Sequence, residues 1–321
     1  MESDKIPLLV ILGPTACGKT SLSIRLAKLL NGEIVCADSM QVYDLLEIGT
    51  ARPVYEEQQG VRHHLFGTVS PFVNFDVSTY IEKAREVIFQ IFSSGKLPIL
   101  VGGTGLYIDL LTSGKKLPET QPDLEYRKKL RAELDSNGVE SLYQKLCLTD
   151  PEYADKIASA DARRIIRALE LYHSTGMNMT QHNLNSCRTE KIYKTCFLGI
   201  NLEKNLLCER IYKRVDNMFK IGLVDETKNI LSIGVDKNSN AMQAIGYKQV
   251  IAYINGEITL QEAVEKVKTA TRQYAKRQRC WFKRNKDVFW IDKPEISDAE
   301  VDELAAYVTE TLNLRGKTCE F

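Results

Sequence analysis

The sequence lacks long hydrophobic runs, regularly spaced cysteines and any large net charge, and each absence excludes a class of protein. No apolar stretch reaches the roughly 20 residues that a membrane-spanning helix needs. The eight cysteines include no C-x-x-C pair, so we expect neither a disulfide framework nor a zinc site. The first residues show no signal-peptide pattern. These features predict a cytoplasmic protein that does not cross a membrane.

The charges are nearly balanced, with 43 Lys and Arg residues against 42 Asp and Glu residues. A net charge of +1 gives no strong overall attraction to polyanions, so a nucleic-acid surface requires local clustering of basic residues. The length of 321 residues is enough for one large domain with an insertion, or for two domains, with a sizeable core.

Short apolar runs alternate with helical patterns towards both ends of the chain. This alternation predicts an α/β fold in which a parallel sheet is covered by helices on both faces. The predicted strands are 7–12, 33–37, 97–101, 193–201 and 288–292. The predicted helices of this part are 19–30, 79–92, 204–221, 223–231, 259–284 and 297–312.

The middle of the chain has a different character, because helical spacing runs through residues 124–176 without a strand pattern. Its clearest helix begins at Asp161 and ends before Gly176. The following residues, 177–189, are polar and are predicted to form a loop. The predicted domains are an α/β core, at 1–116 plus 191–321, and a mostly helical insertion, at 117–190.

Residues 13–20 match the phosphate-loop pattern G-x-x-x-x-G-K-[ST], between a predicted strand and a predicted helix. The α/β core is therefore predicted to be a P-loop NTPase-like parallel sheet. Backbone amides of such a loop and the helix N-terminus bind phosphate oxygens, the lysine neutralises them, and the Thr20 hydroxyl binds Mg²⁺. The alternative is a glycine-rich turn that only joins strand to helix. The predicted diphosphate-binding residues are Gly13, Pro14, Thr15, Ala16, Cys17, Gly18, Lys19 and Thr20.

A phosphate-loop NTPase usually has a second strand that ends in a metal-binding acid. The strand at 98–101 runs instead into Gly102-Gly103-Thr104, which weakens a simple ATPase interpretation. The acid that does follow a strand is Asp38, at the sheet edge where ligands bind in α/β proteins. This carboxylate is a candidate metal ligand or proton acceptor, and alternatively it caps the turn at 39–43.

Basic residues are concentrated near the end of the chain, where the run from 268 to 286 contains no Asp or Glu. Aromatic residues lie among them, as in RNA-binding surfaces, although a solvated helix face gives the same pattern. The basic residues of the run are Lys268, Arg272, Lys276, Arg277, Arg279, Lys283, Arg284 and Lys286. Smaller clusters are Arg163, Arg164 and Arg167, and the pair Arg210 and Arg214, which lie one helical turn apart and can face one anion.

Eight segments along nearly the whole chain resemble those of one known family. They are GPTACGKT (13–20), ADSMQVY (37–43), IGTARP (48–53), HHL (63–65), VGGTGLY (101–107), DARRIIRALE (161–170), AIGYKQ (244–249) and TRQYAKRQ (271–278). In this order they resemble the tRNA dimethylallyltransferase (isopentenyltransferase) family of bacterial type. Their conjunction is much more specific than the phosphate loop alone.

The resemblance implies transfer of a dimethylallyl group from dimethylallyl diphosphate to N6 of adenosine 37, next to the anticodon of tRNA, with release of pyrophosphate. The loop would hold the diphosphate with Mg²⁺ as cofactor, and Arg210 or Arg214 would balance the charge of the departing pyrophosphate. Asp38 would accept a proton from the adenine amine, with Thr15 nearby. The implied catalytic residues are therefore Asp38, Thr15, Arg210 and Arg214.

The resemblance also implies a tRNA surface, with the helical insertion holding the anticodon stem-loop and the target base flipped into a channel. The implied tRNA-binding residues are Asp38, Ser39, Met40, Gln41, Thr104, Arg127, Arg163, Arg164, Ile165, Ile166, Arg167, Gln243, Ala244, Ile245, Gly246, Tyr247, Lys248, Arg272, Lys276 and Arg277. We expect a monomer. Three alternatives stay open: a prenyltransferase for free adenine nucleotides, a P-loop small-molecule kinase, and a non-catalytic RNA-binding protein.

Overall fold

The structure is a computed structural model that describes residues 5–115, 123–186 and 191–314. The chain divides into two compact units. The first consists of Met1–Ser113 and Lys191–Phe321 and contains a sheet with helices. The second, Gly114–Glu190, is helical throughout its described elements.

The sheet of the first unit has six parallel strands in the order β3-β2-β4-β1-β5-β6. All five predicted strands are confirmed, and the parallel α/β fold with them. The additional strand, β3, has only two residues and gives no periodic signal. The strands are β1 (Ile6–Leu12), β2 (Gly32–Cys36), β3 (His63–His64), β4 (Leu97–Gly102), β5 (Tyr193–Ile200) and β6 (Val288–Ile291).

The core of this unit lies around β1, which pairs with β4 on one side and β5 on the other. Val10 is opposite Leu100 and Phe197, and its side chain is completely buried. A parallel strand that is covered on both faces reads as a continuous apolar run, which explains the uninterrupted LLVIL of β1. The carboxyl ends of β1, β2 and β4 therefore meet at one edge of the sheet.

Helices connect the strands and form the second unit, to which α4–α7 belong. The helices are α1 (Lys19–Leu29), α2 (Val77–Ser93), α3 (Gly105–Ser113), α4 (Leu124–Thr149), α5 (Pro151–Ala154), α6 (Ala162–Thr175), α7 (Met179–Ser186), α8 (Lys204–Lys220), α9 (Leu223–Ser232), α10 (Tyr247–Ile254), α11 (Leu260–Phe282) and α12 (Asp298–Leu312). The six helices predicted for the α/β part are confirmed, whereas α3 and α10 are additional.

The second unit has its own apolar core, formed where α4 packs against α6. Leu142 and Ile165 are completely buried in it. The helix α6 starts and ends as predicted: the Asp161 side chain accepts from Arg164 N, and Gly176 follows in the left-handed conformation. The sequence predicts both boundaries because Asp before a helix and Gly after it are among the strongest signals for helix ends.

The prediction of a loop at 177–189 holds for residues 177–178 and is wrong for 179–186, because α7 occupies Met179–Ser186. This helix has no clear apolar stripe, so its sequence pattern resembles a loop. Its first turn is fixed by a tertiary contact: the Asp150 carboxylate accepts from Thr180 N at 2.9 Å and from Thr180 Oγ1 at 2.7 Å. Residues 187–189 lie outside the described residues.

Candidate active site

The phosphate loop forms a tight turn between β1 and α1. Gly13 has a φ of 152°, and a Cβ there would lie 2.8 Å from the Ile200 carbonyl oxygen, so only glycine fits. Gly18, just before the first turn of α1, has a φ of 102°. The Lys19 ammonium donates to Gly13 O at 3.0 Å and to Pro14 O at 2.8 Å. The loop thus presents a helix N-terminus and a lysine side by side, as a phosphate site requires.

Cys17 fills the inside of the loop. It is buried, and burial raises the pKa of its thiol although Lys19 partly opposes this effect. A neutral buried thiol is a poor nucleophile, so this residue packs rather than reacts.

Asp38 follows β2 at the same edge of the sheet. Its Oδ1 accepts hydrogen bonds from Met40 N at 2.9 Å and Gln41 N at 3.4 Å, so the carboxylate does cap the turn. Among the described residues, none donates a hydrogen bond to Oδ2, and Asp38 lines the central cavity. One oxygen thus holds the local backbone while the other remains available for proton transfer.

The glycine-rich turn after β4 explains why no acid stands there. A Cβ on Gly102 would lie 2.0 Å from the Ala37 carbonyl oxygen, and one on Gly103 would lie 2.2 Å from Gln278 Nε2. Thr104 Oγ1 accepts from Ser39 N at 3.0 Å. The absence of side chains in this turn lets the β2 end and helix α11 approach the same point.

Gln278 is a site residue that sequence reasoning missed as an individual position. It is 4% exposed and uses both ends of its amide, because Oε1 accepts from Thr15 N at 2.9 Å and Nε2 donates to Gly103 O at 2.9 Å. The side chain therefore ties the basic helix α11 to the phosphate loop. A signal was present, since Gln278 is an uncharged polar residue within a strongly basic run.

The two candidate arginines on α8 have different partners. Arg214 Nη1 donates to Thr15 Oγ1 at 3.4 Å, whereas Arg210 Nη2 donates to Pro294 O at 2.8 Å. Burial lowers the pKa of Arg214, and the nearby Asp38 carboxylate opposes that shift. Both arginines line the cavity, and Arg214 is the one in contact with the phosphate loop.

These groups surround a cavity of about 760 Å³. Polar and charged residues contribute to its wall, among them Lys19, Asp38 and Arg214, and so do the apolar side chains of Phe66 and Met218. A cavity lined by both kinds of group suits a ligand that has a charged part and a short hydrocarbon part.

Two histidines lie next to this region, on β3. His64 Nε2 and Lys96 Nζ each contact a different oxygen of Glu33 at 2.6 Å. Burial raises the pKa of the Glu33 carboxyl, but the hydrogen bonds from Lys96 and His64 outweigh it and lower the pKa overall. His63 hydrogen-bonds to Val61 O at 2.8 Å. His64 therefore has a structural partner.

The donor set allows a divalent cation only together with a phosphate ligand. Thr20 is exposed at the start of α1, and the described part of the chain contains no group of three His, Cys, Asp or Glu residues that could hold a metal ion. Mg²⁺ commonly keeps water molecules and binds substrate phosphates with one or two protein ligands. The residues present fit that mode of binding.

The predicted RNA residues of the α/β unit divide into exposed and buried groups. Arg272, Lys276 and Arg277 are exposed on α11, and so are Gln243 and Lys248 before and within α10. The buried or half-buried members of the 243–248 stretch are Ala244, Ile245, Gly246 and Tyr247. The side chains of Ser39, Met40 and Gln41 are half-buried beside Asp38.

The predicted RNA residues of the helical unit divide in the same way. Ile165 and Ile166 are buried in its core, whereas Arg163 and Arg164 are exposed. Arg127 Nη2 donates to both carboxylate oxygens of Glu170 at 2.8 Å, and Arg167 Nη1 approaches the same carboxylate at 3.3 Å. Arg164 Nε lies 3.3 Å from Asp161 Oδ2, so three of the predicted arginines already have an anionic partner inside the unit.

The parallel sheet, the glycine loop at the end of β1 and the helix N-terminus behind it define a phosphate-loop α/β protein. In comparisons with known families, the model described as "IPP transferase" matches residues 41–285, and "Isopentenyl transferase" matches residues 6–68. The chain belongs to the IPP transferase family. None of its described helices is long and apolar enough to cross a membrane.

Individual relatives agree with this assignment. The tRNA dimethylallyltransferase of Acetivibrio thermocellus is 43% identical over 308 residues, which cover 96% of this chain and 98% of the relative. That of Bacillus licheniformis is 42% identical over 316 residues, with 98% and 100% coverage.

Solved structures are similar as well. The full-length tRNA isopentenylpyrophosphate transferase of Bacillus halodurans has a TM-score of 0.73 at 38% identity, with 98% of this chain and 99% of that one covered. A eukaryotic dimethylallyltransferase acting on tRNA has a TM-score of 0.80 at 27% identity, with 98% and 81% coverage.

Proposed function

We propose that this protein transfers the dimethylallyl group of dimethylallyl diphosphate to N6 of adenosine 37, next to the anticodon of a tRNA, and releases pyrophosphate. The observation that carries the proposal is the arrangement around Thr15, where the phosphate loop, Arg214 and the Asp38 edge of β2 line one cavity. Relatives named tRNA dimethylallyltransferase support it along nearly the whole chain.

The phosphate loop and its neighbours bind the diphosphate in this proposal. Backbone amides of the loop and the Lys19 ammonium contact its oxygens, and Arg214 approaches from the side of Thr15. Mg²⁺, held by the Thr20 hydroxyl together with diphosphate oxygens, would supply further charge neutralisation for the leaving group. Preorganised positive groups of this kind stabilise charge that develops as the carbon–oxygen bond breaks.

Asp38 accepts the proton. The adenine amine nitrogen forms a bond to the allylic carbon, the bond from that carbon to the diphosphate oxygen breaks, and its electron pair leaves with pyrophosphate. The amine proton moves to Asp38, whose Oδ1 stays engaged with Met40 N and Gln41 N. A carboxylate in this role contributes roughly 10²- to 10⁴-fold in rate.

The acceptor is an RNA loop rather than a free nucleotide, because basic residues extend well beyond the cavity. Arg272, Lys276 and Arg277 are exposed on the helix whose Gln278 contacts the phosphate loop. We assign the exposed Arg163 and Arg164 of the helical unit to the same task. A loop base can be flipped out of its stack at a cost of only a few kcal/mol.

The protein acts in the cytoplasm as a monomer.

The experiment that tests the proposal supplies radiolabelled dimethylallyl diphosphate and Mg²⁺ with one of two acceptors, an anticodon stem-loop or AMP. The radiolabel and the added mass of one dimethylallyl group should appear on the stem-loop adenosine. A stem-loop with a different base at that position should stay unlabelled. Preferential labelling of AMP would favour a nucleotide prenyltransferase. RNA binding without any transfer would favour a non-catalytic RNA-binding protein, and phosphate transfer from ATP would favour a kinase.

A further inference from the structure

A single carboxylate holds the loop at residues 47–51 from one side. Glu226 on α9 accepts hydrogen bonds from three consecutive backbone amides of that loop. They are those of Glu47 at 3.2 Å, Ile48 at 2.8 Å and Gly49 at 3.2 Å. Successive amides that converge on one anion form a nest. In this loop the protein's own carboxylate occupies the nest and fixes the backbone.

Tyr247 completes this contact. Its hydroxyl donates to Glu226 Oε1 at 2.5 Å and accepts from Gly49 N at 3.2 Å. The ring is fully buried, and a Cβ on Gly49 would lie 2.5 Å from it. Burial and the Glu226 carboxylate raise the pKa of the Tyr247 hydroxyl, which therefore remains a donor. We call Glu226, Tyr247 and the three amides the loop clasp.

The carbonyl groups of the same loop face the candidate active site. Arg214 Nη2 donates to Thr50 O at 3.3 Å and to Ala51 O at 3.4 Å. Gln41 Nε2 donates to the same two carbonyls at 3.0 and 3.1 Å. The second terminal nitrogen of the guanidinium, Arg214 Nη1, donates to Thr15 Oγ1. The loop thus binds the clasp with its amides and the guanidinium with its carbonyls.

We propose that Glu226 is a positioning residue, which holds this loop so that its carbonyls direct the Arg214 guanidinium towards the phosphate loop. This inference rests on the proposed function, in which Arg214 stabilises the departing pyrophosphate. Neutral carbonyls orient the guanidinium without cancelling its charge. Its contribution therefore depends on placement, and a loop displaced by about 1 Å can cost roughly 10²-fold in rate.

The test is a double-mutant cycle on kcat for dimethylallyl transfer to a stem-loop at saturating substrates. The four proteins are the parent, Glu226→Gln, Arg214→Ala and the double variant. Glu226→Gln retains the size of the side chain but turns an amide donor towards backbone donors. We expect it to lower kcat by up to roughly 10²-fold in the parent and to have little further effect once Arg214 is absent. If the fold-losses in kcat of the two single variants multiplied in the double variant, the proposal would be overturned.

A second variant removes only one hydrogen-bonding group of the loop clasp. Tyr247→Phe deletes one hydroxyl and leaves the buried ring, so it serves for the same cycle if Glu226→Gln does not fold. The matched control is Glu303→Gln, at an exposed position of α12, which should leave kcat unchanged. Thermal unfolding and stem-loop affinity are measured for each variant, so that a loss of kcat is separated from a loss of folding or of RNA binding.

The outcomes separate this inference from the function on which it rests. A parent protein that makes no prenylated RNA contradicts the proposed function. An active parent in which the clasp variants slow transfer equally with and without Arg214 contradicts only the positioning role of Glu226.

Discussion

Two half-buried arginines, one in each unit, have partners of different charge. In the helical unit, Arg127 donates to both oxygens of Glu170, a residue that is 1% exposed. In the α/β unit, Arg214 contacts the Thr15 hydroxyl and two backbone carbonyls. Among the described residues, no carboxylate lies within ion-pair distance of Arg214.

The difference indicates different roles. An arginine that neutralises a buried carboxylate is already paired, and removing it leaves an uncompensated buried charge. An arginine held by neutral oxygens keeps its charge for an incoming anion. We therefore propose that Arg214 serves diphosphate chemistry and that Arg127 stabilises the helical unit. The RNA contact that the resemblance implies for Arg127 stays a prediction.

The largest expected effect concerns Asp38, a carboxylate that lines the same cavity as Arg214. Asp38→Asn should lower the transfer rate by roughly 10²- to 10⁴-fold, because the amide accepts no proton. Its Oδ1 can still accept from Met40 N, so the turn and the stem-loop affinity should be preserved. Asp38→Ala loses the base and the cap together. A collapse of RNA affinity in Asp38→Asn would make this residue structural.

The second-largest effect is expected for removal of the Arg214 guanidinium, which has neutral partners among the described residues. Arg214→Ala is expected to lower kcat by roughly 10²- to 10³-fold, which is typical for loss of one preorganised donor to a developing anion. Stability measured by urea unfolding should change little, since no buried carboxylate loses its partner. If instead stability fell and kcat remained, the two arginines would have the same structural role.

The paired arginine should show the opposite behaviour. Arg127→Ala leaves Glu170 with Arg167 as its remaining cationic contact and should destabilise the helical unit by about 1–3 kcal/mol. Hydrogen exchange in α4 and α6 reports this loss directly. Lower RNA affinity with unchanged exchange protection would return Arg127 to the RNA surface.

The smallest effect contrasts two basic residues on α11. Arg277 is exposed, whereas Lys268 forms an ion pair with Asp216 at 2.8 Å. The hydrogen bond that the Lys268 ammonium donates to Asp216 raises the pKa of Lys268, although partial burial opposes it. We expect Arg277→Ala to reduce the slope of log affinity against log salt for the stem-loop by about one. Lys268→Ala should leave that slope unchanged, and equal slopes for both variants would remove Arg277 from the interface.

Sequence reasoning was most successful where the signal is local. The strand β1, the phosphate loop and the cap at Asp161 each depend on a few adjacent residues. Two of the elements that it missed are a very short strand and a helix whose first turn depends on a distant partner. Strand β3 has two residues, and α7 is fixed by a contact with Asp150 rather than by an apolar face.

The candidate site shows the same division. Asp38 was found because it follows a strand and precedes a turn. Gln278 lies 263 residues from Thr15 in the sequence, and Glu226 lies 178 residues from Ile48, so no spacing rule connects them. Tyr247 was noticed through its motif, but only the folded structure pairs it with Gly49.

The most direct measurement is pyrophosphate release in the presence of dimethylallyl diphosphate, Mg²⁺ and an anticodon stem-loop, with ATP as the competing donor. We expect one pyrophosphate for each prenyl group found on the RNA, no ATP consumption, and loss of both products in Lys19→Ala. If the protein ignored the allylic diphosphate and consumed ATP, the assignment of the phosphate loop to a prenyl donor would be contradicted.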